Sequence, residues 1–234
     1  MKRTIAVLAL SVVSASTLAG CMFVQPGTTV TEDRDITDVD AVVLETSGDV
    51  TITIGSSPSL SITAGANAQE RLTSDVVDGV LVLGTTPGPG IGLGDIHYDL
   101  TVTRIQSVSI DGSGDVTADF AGAEDIVIEI SGSGDVDGDH VDAASVTSSI
   151  DGSGDIELRG DVRDQTISID GSGGYDASDL TAATTTVEIA GSGSVDVRVT
   201  DTLAVDISGS GDVTHTGGAT VTQDISGSGS VRED

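Results

Sequence analysis

Across 234 residues the chain has one cysteine, three histidines, no tryptophan, two tyrosines and two phenylalanines. A single thiol closes no disulfide within the chain, so packing alone must hold the fold. His97, His140 and His215 are scattered, with no metal-ligand spacing between them, which argues against a zinc centre. Aromatics at 2% leave little flat surface for stacking bases or sugar rings. Nine Lys and Arg against 38 Asp and Glu give a net charge of -29, which repels a phosphate backbone and excludes nucleic acid as a partner. Helical runs are nearly absent: the best, "NAQERL" at Asn67 to Leu72, is too short to stand without help. Beyond the N-terminus no apolar run is long enough to span a bilayer.

The N-terminus has a different character. Lys2 and Arg3 precede an apolar run through Val13, and small residues lead into Cys21, the pattern of an export signal. Leu18-Ala19-Gly20-Cys21 resembles the bacterial lipobox, in which the cysteine is lipidated and becomes the new N-terminus. Residues 1–20 are therefore expected to be removed and Cys21 to tether the protein to a membrane, with the polar remainder outside the cytoplasm. Loss of Lys2 and Arg3 leaves seven basic residues against 38 acidic ones, a charge of -31. Residues 21–38 are polar and lack apolar periodicity, as suits a tether.

From residue 39 the chain alternates. "AVVLETSGDVTITIG" puts Val50, Ile52 and Ile54 on one side and Thr51 and Thr53 on the other, the signature of half-buried strands. Residues 39–108 read as a β-rich N-terminal section. From residue 109 to 234 the chain repeats one phrase, of which "ISGSGDV" at Ile130 to Val136 is typical. Its paired glycines fall at Gly112 and Gly114, Gly132 and Gly134, Gly152 and Gly154, Gly171 and Gly173, Gly191 and Gly193, Gly209 and Gly211, and Gly227 and Gly229. Successive copies lie 20, 20, 19, 20, 18 and 18 residues apart, a period that marks a stacked architecture. An isoleucine precedes every copy, from Ile110 to Ile225, and an apolar residue follows, from Val116 to Val231, with Tyr175 in the fourth. "TSGDV" at Thr46 to Val50 echoes the phrase earlier in the chain.

These features predict an all-β fold: a single-chain parallel β-solenoid with coils of 18–20 residues. At roughly 3.3 Å per extended residue a coil has a perimeter of about 60 Å, wide enough for a thin apolar core only. Stacking coils about 4.8 Å apart piles isoleucine on isoleucine and valine on valine, and the glycines serve as the turns. So narrow an interior would be overfilled by aromatic rings, in keeping with their scarcity. A β-sandwich is the competing architecture, but it does not require a near-constant period.

The succession of lipobox, strands ending in "DGVLVLG", "YDLTVTRIQSVSIDGSGDV" and further "SGSGDV" coils resembles the bacterial head GIN domain family of auto-transporter adhesins, from about Val39 to Val231. The resemblance implies an exported β-helical surface domain and supplies no catalytic residues.

Candidate chemistry is thin. Asp115, Asp135 and Asp155 share one register and would form a column, where a divalent cation would relieve repulsion of about 1 kcal/mol per neighbouring pair. Calcium solenoids, however, repeat Gly-Gly-x-Gly-x-Asp every nine residues, unlike this chain. "DVDGDH" at Asp135 to His140 lacks the glycine and glutamate positions of an EF-hand. Acid pairs such as Asp135 and Asp155 would suit a glycan-cleaving β-helix, but aromatic and basic substrate-binding residues are missing. "GPGIGLG" at residues 88–94 has no helix after it and reads as a connection. "RGD" at Arg159 to Asp161 reads as a chance tripeptide. The expected function is a lipid-anchored extracytoplasmic structural or binding module that needs no cofactor and no catalysis. Its expected partners are the membrane through Cys21, an envelope or surface ligand, and a second copy joined end to end. The alternatives are a calcium-stabilised surface solenoid and, behind it, a glycan-active enzyme.

Overall fold

A computed structural model describes residues 27–88 and 92–234; the export signal, Cys21 with the rest of the tether up to residue 26, and part of the "GPGIGLG" connection lie outside the described residues. The N-terminal section contains β1 (Thr29–Arg34), β2 (Ala41–Leu44), β3 (Asp49–Ile54), β4 (Ser59–Gly65), the one-turn helix α1 (Ala66–Gln69), β5 (Leu72–Val77), β6 (Val80–Thr85) and β7 (His97–Val102). The coils follow: β8 (Ser107–Gly112), β9 (Val116–Asp119), β10 (Asp125–Gly132), β11 (Val136–Gly152), β12 (Asp155–Gly171), β13 (Gly174–Gly191), β14 (Ser194–Gly209), β15 (Asp212–Thr216), β16 (Thr220–Gly227) and β17 (Ser230–Glu233). No helix among the described residues is long and apolar enough to cross a membrane.

Residues 107–233 form a parallel β-solenoid of about six turns. Leu44, Ile110, Ile130, Ile150, Ile169, Ile189, Ile207 and Ile225 pair in unbroken register and make one core column. Val50, Val116, Val136, Ile156, Tyr175, Val195, Val213 and Val231 make another. Each buried isoleucine contributes roughly 1.5–3 kcal/mol relative to exposure. The echo "TSGDV" joins the same stack, because β2 pairs with β8 and β3 with β9, both parallel.

The glycines are dictated by how closely the coils approach at this corner. Gly132 has φ +144°, and a Cβ there would lie 2.1 Å from the Gly112 carbonyl oxygen. A Cβ on Gly134 would lie 2.1 Å from the Gly114 oxygen. That proximity permits a backbone ladder in which Ser133 N–H donates to Gly112 O at 2.9 Å and Ser153 N–H to Gly132 O at 2.9 Å. Coil length varies elsewhere: the register shifts at Gly138/Val141, Glu157/Gly160 and Ala177/Thr181, on the far side of each coil, absorb the differences.

Two expectations are corrected. Aromatic rings do enter the core, since Tyr98, Tyr175 and Phe120 are among its largest fully buried side chains. Small residues make the room. A Cβ on Gly48 would stand 2.8 Å from the Tyr98 ring and one on Gly138 2.7 Å from the Phe120 ring, while Ser148 stands between Ile128 and Ile167 in its column. Secondly, part of the presumed tether is structured: β1 pairs antiparallel with β4. Its side chains are mostly exposed, so no apolar alternation announced it. Polar bonds assist the backbone. Gln69 Nε2 donates to Ile62 O at 2.6 Å, and Arg34 donates to Gln69 Oε1 at 3.2 Å. β4 also pairs antiparallel with β7, and β5 with β6 through a hairpin turn in which Asp78 (φ 52°) and Gly79 (φ 85°) both take left-handed conformations.

Candidate functional site: an acidic trough on the solenoid face

The first half of each coil, between the Gly-Ser-Gly corner and the register shift, carries two outward columns of acid. Alternation fixes this arrangement: Val136 and Ile156 point inward, so Asp135, Asp137, Asp155 and Glu157 point out. Asp137, Glu157, Asp176 and Asp196 stand in one in-register column, flanked by Thr117 and Thr214. Beside it run Asp115, Asp135 and Asp155, continued by Gly174 and Ser194. Apart from Thr214, these residues line a shallow trough of about 580 Å³.

Asp115, Asp135 and Asp155 thus form the column the sequence suggested, but with an additional task. Asp135 N–H donates to Asp115 Oδ1 at 3.0 Å, Asp155 N–H to Asp135 Oδ1 at 2.8 Å, and Gly174 N–H to Asp155 Oδ1 at 2.7 Å. One oxygen of each carboxylate therefore ties its coil to the next. The neighbouring acids share one cation. The Arg159 guanidinium donates to Asp137 Oδ1 at 2.6 Å and Asp139 Oδ1 at 3.1 Å, and also pairs with Glu157. These bonds, to Asp137 first and then Asp139, hold Arg159 more firmly in its charged form. The arginine of the "RGD" tripeptide is thereby engaged with its own chain.

Among the described residues no three His, Cys, Asp or Glu side chains are arranged to hold a metal ion. The histidines stay apart: His97 pairs with Asp99 at 3.2 Å, His140 with Asp119 at 3.2 Å, and His215 is buried with its Nδ1 unpartnered. The second halves of the coils carry hydroxyls instead. Thr147, Thr166 and Thr186 form one outward column, and Thr184, Thr202 and Thr220 another.

Inside the coils is a polar feature that sequence reading did not single out. Gln165 Nε2 donates to the Tyr175 phenol at 2.9 Å, and Thr185 Oγ1 donates to Gln165 Oε1 at 3.1 Å. Burial pushes the Tyr175 phenol up to about 12, against smaller opposing pulls from Ser148 and Gln165. Ser148 weighs on the phenol in this way although its Oγ makes no well-formed hydrogen bond. The available signal was Gln165 and Tyr175 at positions where the preceding coil carries Val146 and Ile156.

The family model described as "Putative auto-transporter adhesin, head GIN domain" matches residues 38–219. Among solved structures, a putative adhesin from Bacteroides fragilis superposes with a TM-score of 0.85 at 21% identity, covering 90% of this chain and all of its own. A putative lipid binding protein from Parabacteroides distasonis gives 0.76 at 22% identity, over 90% of this chain and 99% of its own. A putative adhesin from Parabacteroides merdae gives 0.68 at 22% identity, over 90% and 98%. At these identities the likeness establishes the fold. No curated protein matches the chain.

Proposed function

The chain belongs to the head GIN domain family, and we propose that it acts as a lipid-anchored, extracytoplasmic, adhesin-like binding module that carries out no catalysis. Lipidation at Cys21 supplies the anchor in this reading, the residues between Cys21 and β1 connect it to the domain, and the solenoid stands outside the cytoplasm. The export signal and lipobox support the location, and the word adhesin in the names of two structural relatives supports the role. The observation that carries the binding reading is the trough. Its acids stand at fixed spacing on a backbone that cannot rearrange without breaking the coil ladder, which presents them to a surface ligand at little ordering cost. Asp135 and Asp155, which would have to serve as acid and base, instead each accept a backbone N–H of the next coil, which favours binding over hydrolysis.

Two measurements test this. Fatty-acid labelling of the full chain should be lost in Cys21→Ala. A screen of glycans and envelope proteins should yield a ligand whose retention drops about tenfold or more in Asp176→Lys/Asp196→Lys, two trough residues that cap no backbone group of the next coil. Labelling that persists without Cys21 would overturn the anchor, and binding indifferent to both reversals would overturn the trough.

A further inference from the structure

The repeated phrase creates a problem for folding. Each coil carries nearly the same glycines, the same isoleucine and nearly the same valine, so backbone ladder and core columns reward many stackings almost equally. A shift of two residues keeps every side chain on its proper face but takes the glycine corners out of register, whereas skipping a coil sets one phrase on another and keeps them. Something must distinguish coils.

Four residues in the middle of the stack depart from their columns, and all four meet. Ser148 stands among Val108, Ile128, Ile167 and Val187. Gln165 and Thr185 stand among Ile126, Val146 and Leu203. Tyr175 stands between Ile156 and Val195. All four are buried, at 0–2% exposure. Gln165 comes from β12, Tyr175 from the first half of β13 and Thr185 from its second half, so the two hydrogen bonds clamp one coil to the next across the core as well as along a column. Ser148, from β11, leaves space where an isoleucine would stand.

We propose that this buried cluster is the register key of the solenoid: it selects the native stacking of β12 on β13, and of β11 on β12, over slipped stackings that the repeats would otherwise accept. In a stack that skips a coil Gln165, Thr185 and the Tyr175 hydroxyl lose one another as partners, while the isoleucine, valine and glycine columns still meet their like. The penalty falls on wrong registers alone. A single buried polar group sets register in coiled coils by the same logic.

Thiol reporters in the full chain with Cys21→Ser read the register directly. Ser149→Cys with Ser168→Cys places cysteines at in-register positions of adjacent coils, within disulfide reach. Ser149→Cys with Asp170→Cys reports a two-residue slip, and Ser149→Cys with Glu188→Cys, natively two coils apart, reports a skipped coil. Each pair is refolded from denaturant under oxidising conditions, and the disulfides are mapped. The native cluster should give the in-register bridge with only trace slipped bridges. The volume-conserving triple variant Gln165→Leu/Tyr175→Phe/Thr185→Val should raise slipped bridges about tenfold, the discrimination that one unpaired buried polar group supplies, while keeping a cooperative melt. Should it fail to fold, Ser148→Ile/Gln165→Val/Tyr175→Val/Thr185→Val restores residues used elsewhere in each column and is read in the same way. Refolding of either variant with no more slippage than the parent overturns the proposal. So does failure of both to fold, because the cluster would then be a requirement of the core and not a selector among registers.

Discussion

At the scale of single residues, the Gly-Ser-Gly phrase is a solution to steric crowding. Two glycines are needed because two carbonyl oxygens of the preceding coil occupy the space a side chain would take. Gly134→Ala sets a Cβ 2.1 Å from a backbone oxygen that is itself part of the stack, so relief requires the coils to separate. Urea denaturation should show a loss of about 3 kcal/mol or more, at the upper end of single-residue effects. Gly122→Ala is the control: φ is +81° there, but a Cβ meets nothing within 4 Å, so only backbone strain of about 1–2 kcal/mol is expected. Equal losses at the two sites would show that conformation, and not coil approach, selects the glycines. The aspartate of the phrase works at the same scale. Sequence alone identifies it as the part left over for chemistry; the geometry gives its Oδ1 to the next coil while the residue lines the trough.

At the scale of elements, coils are nearly equivalent units that contact only their neighbours, so local features decide where the stack is strong. The tyrosines mark two such places. Both phenols are held above their ordinary value of 10, chiefly by burial, Tyr175 to about 12. A raised folded value means that the neutral phenol is favoured in the native state. The associated stability is fully present below pH 10 and is lost as pH climbs from 10 to 12, about 2–3 kcal/mol for Tyr175. Because the chain has only two tyrosines, phenolate absorbance should appear late and together with loss of β-sheet signal, and Tyr175→Phe should remove the later part of the titration. Normal ionisation near pH 10 in the folded protein would contradict the burial. Such cross-core contacts were hidden in the sequence because they join residues of different coils through their side chains. The isoleucine column was legible because the residue recurs seven times at a near-constant period, and one register argument fixes all of it. Strand β1 was illegible for another reason: its partner β4 lies some thirty residues away, and a strand with neither face buried leaves no alternation to read. Gly138 and Gly48, which admit the Phe120 and Tyr98 rings, likewise have a meaning only once the coils are stacked.

At the scale of the whole molecule, charge dominates. A net charge of -29 is spread over columns in which carboxylates recur at coil spacing. Neighbouring charges about 5 Å apart repel by roughly 1 kcal/mol in water, and salt at 0.1 M screens beyond about 10 Å. The fold therefore bears a diffuse repulsive load that any electrolyte relieves, whereas a built calcium site would respond to calcium alone. The geometry favours the diffuse case. Asp115, Asp135 and Asp155 each commit an oxygen to a backbone N–H, and Arg159 already neutralises part of the neighbouring column. Thermal midpoints should rise with sodium chloride, by about 2–4 °C for each kcal/mol of repulsion removed in a chain of this size. Calcium chloride at matched ionic strength should add little, and chelator should subtract nothing. A saturable rise at micromolar calcium, reversed by chelator and abolished in Asp135→Asn/Asp155→Asn, would instead make the acidic columns a cation site. Asparagine is the informative replacement because its carbonyl oxygen can still accept the N–H of the next coil, so the variant removes charge from the trough while sparing the ladder that holds the coils together.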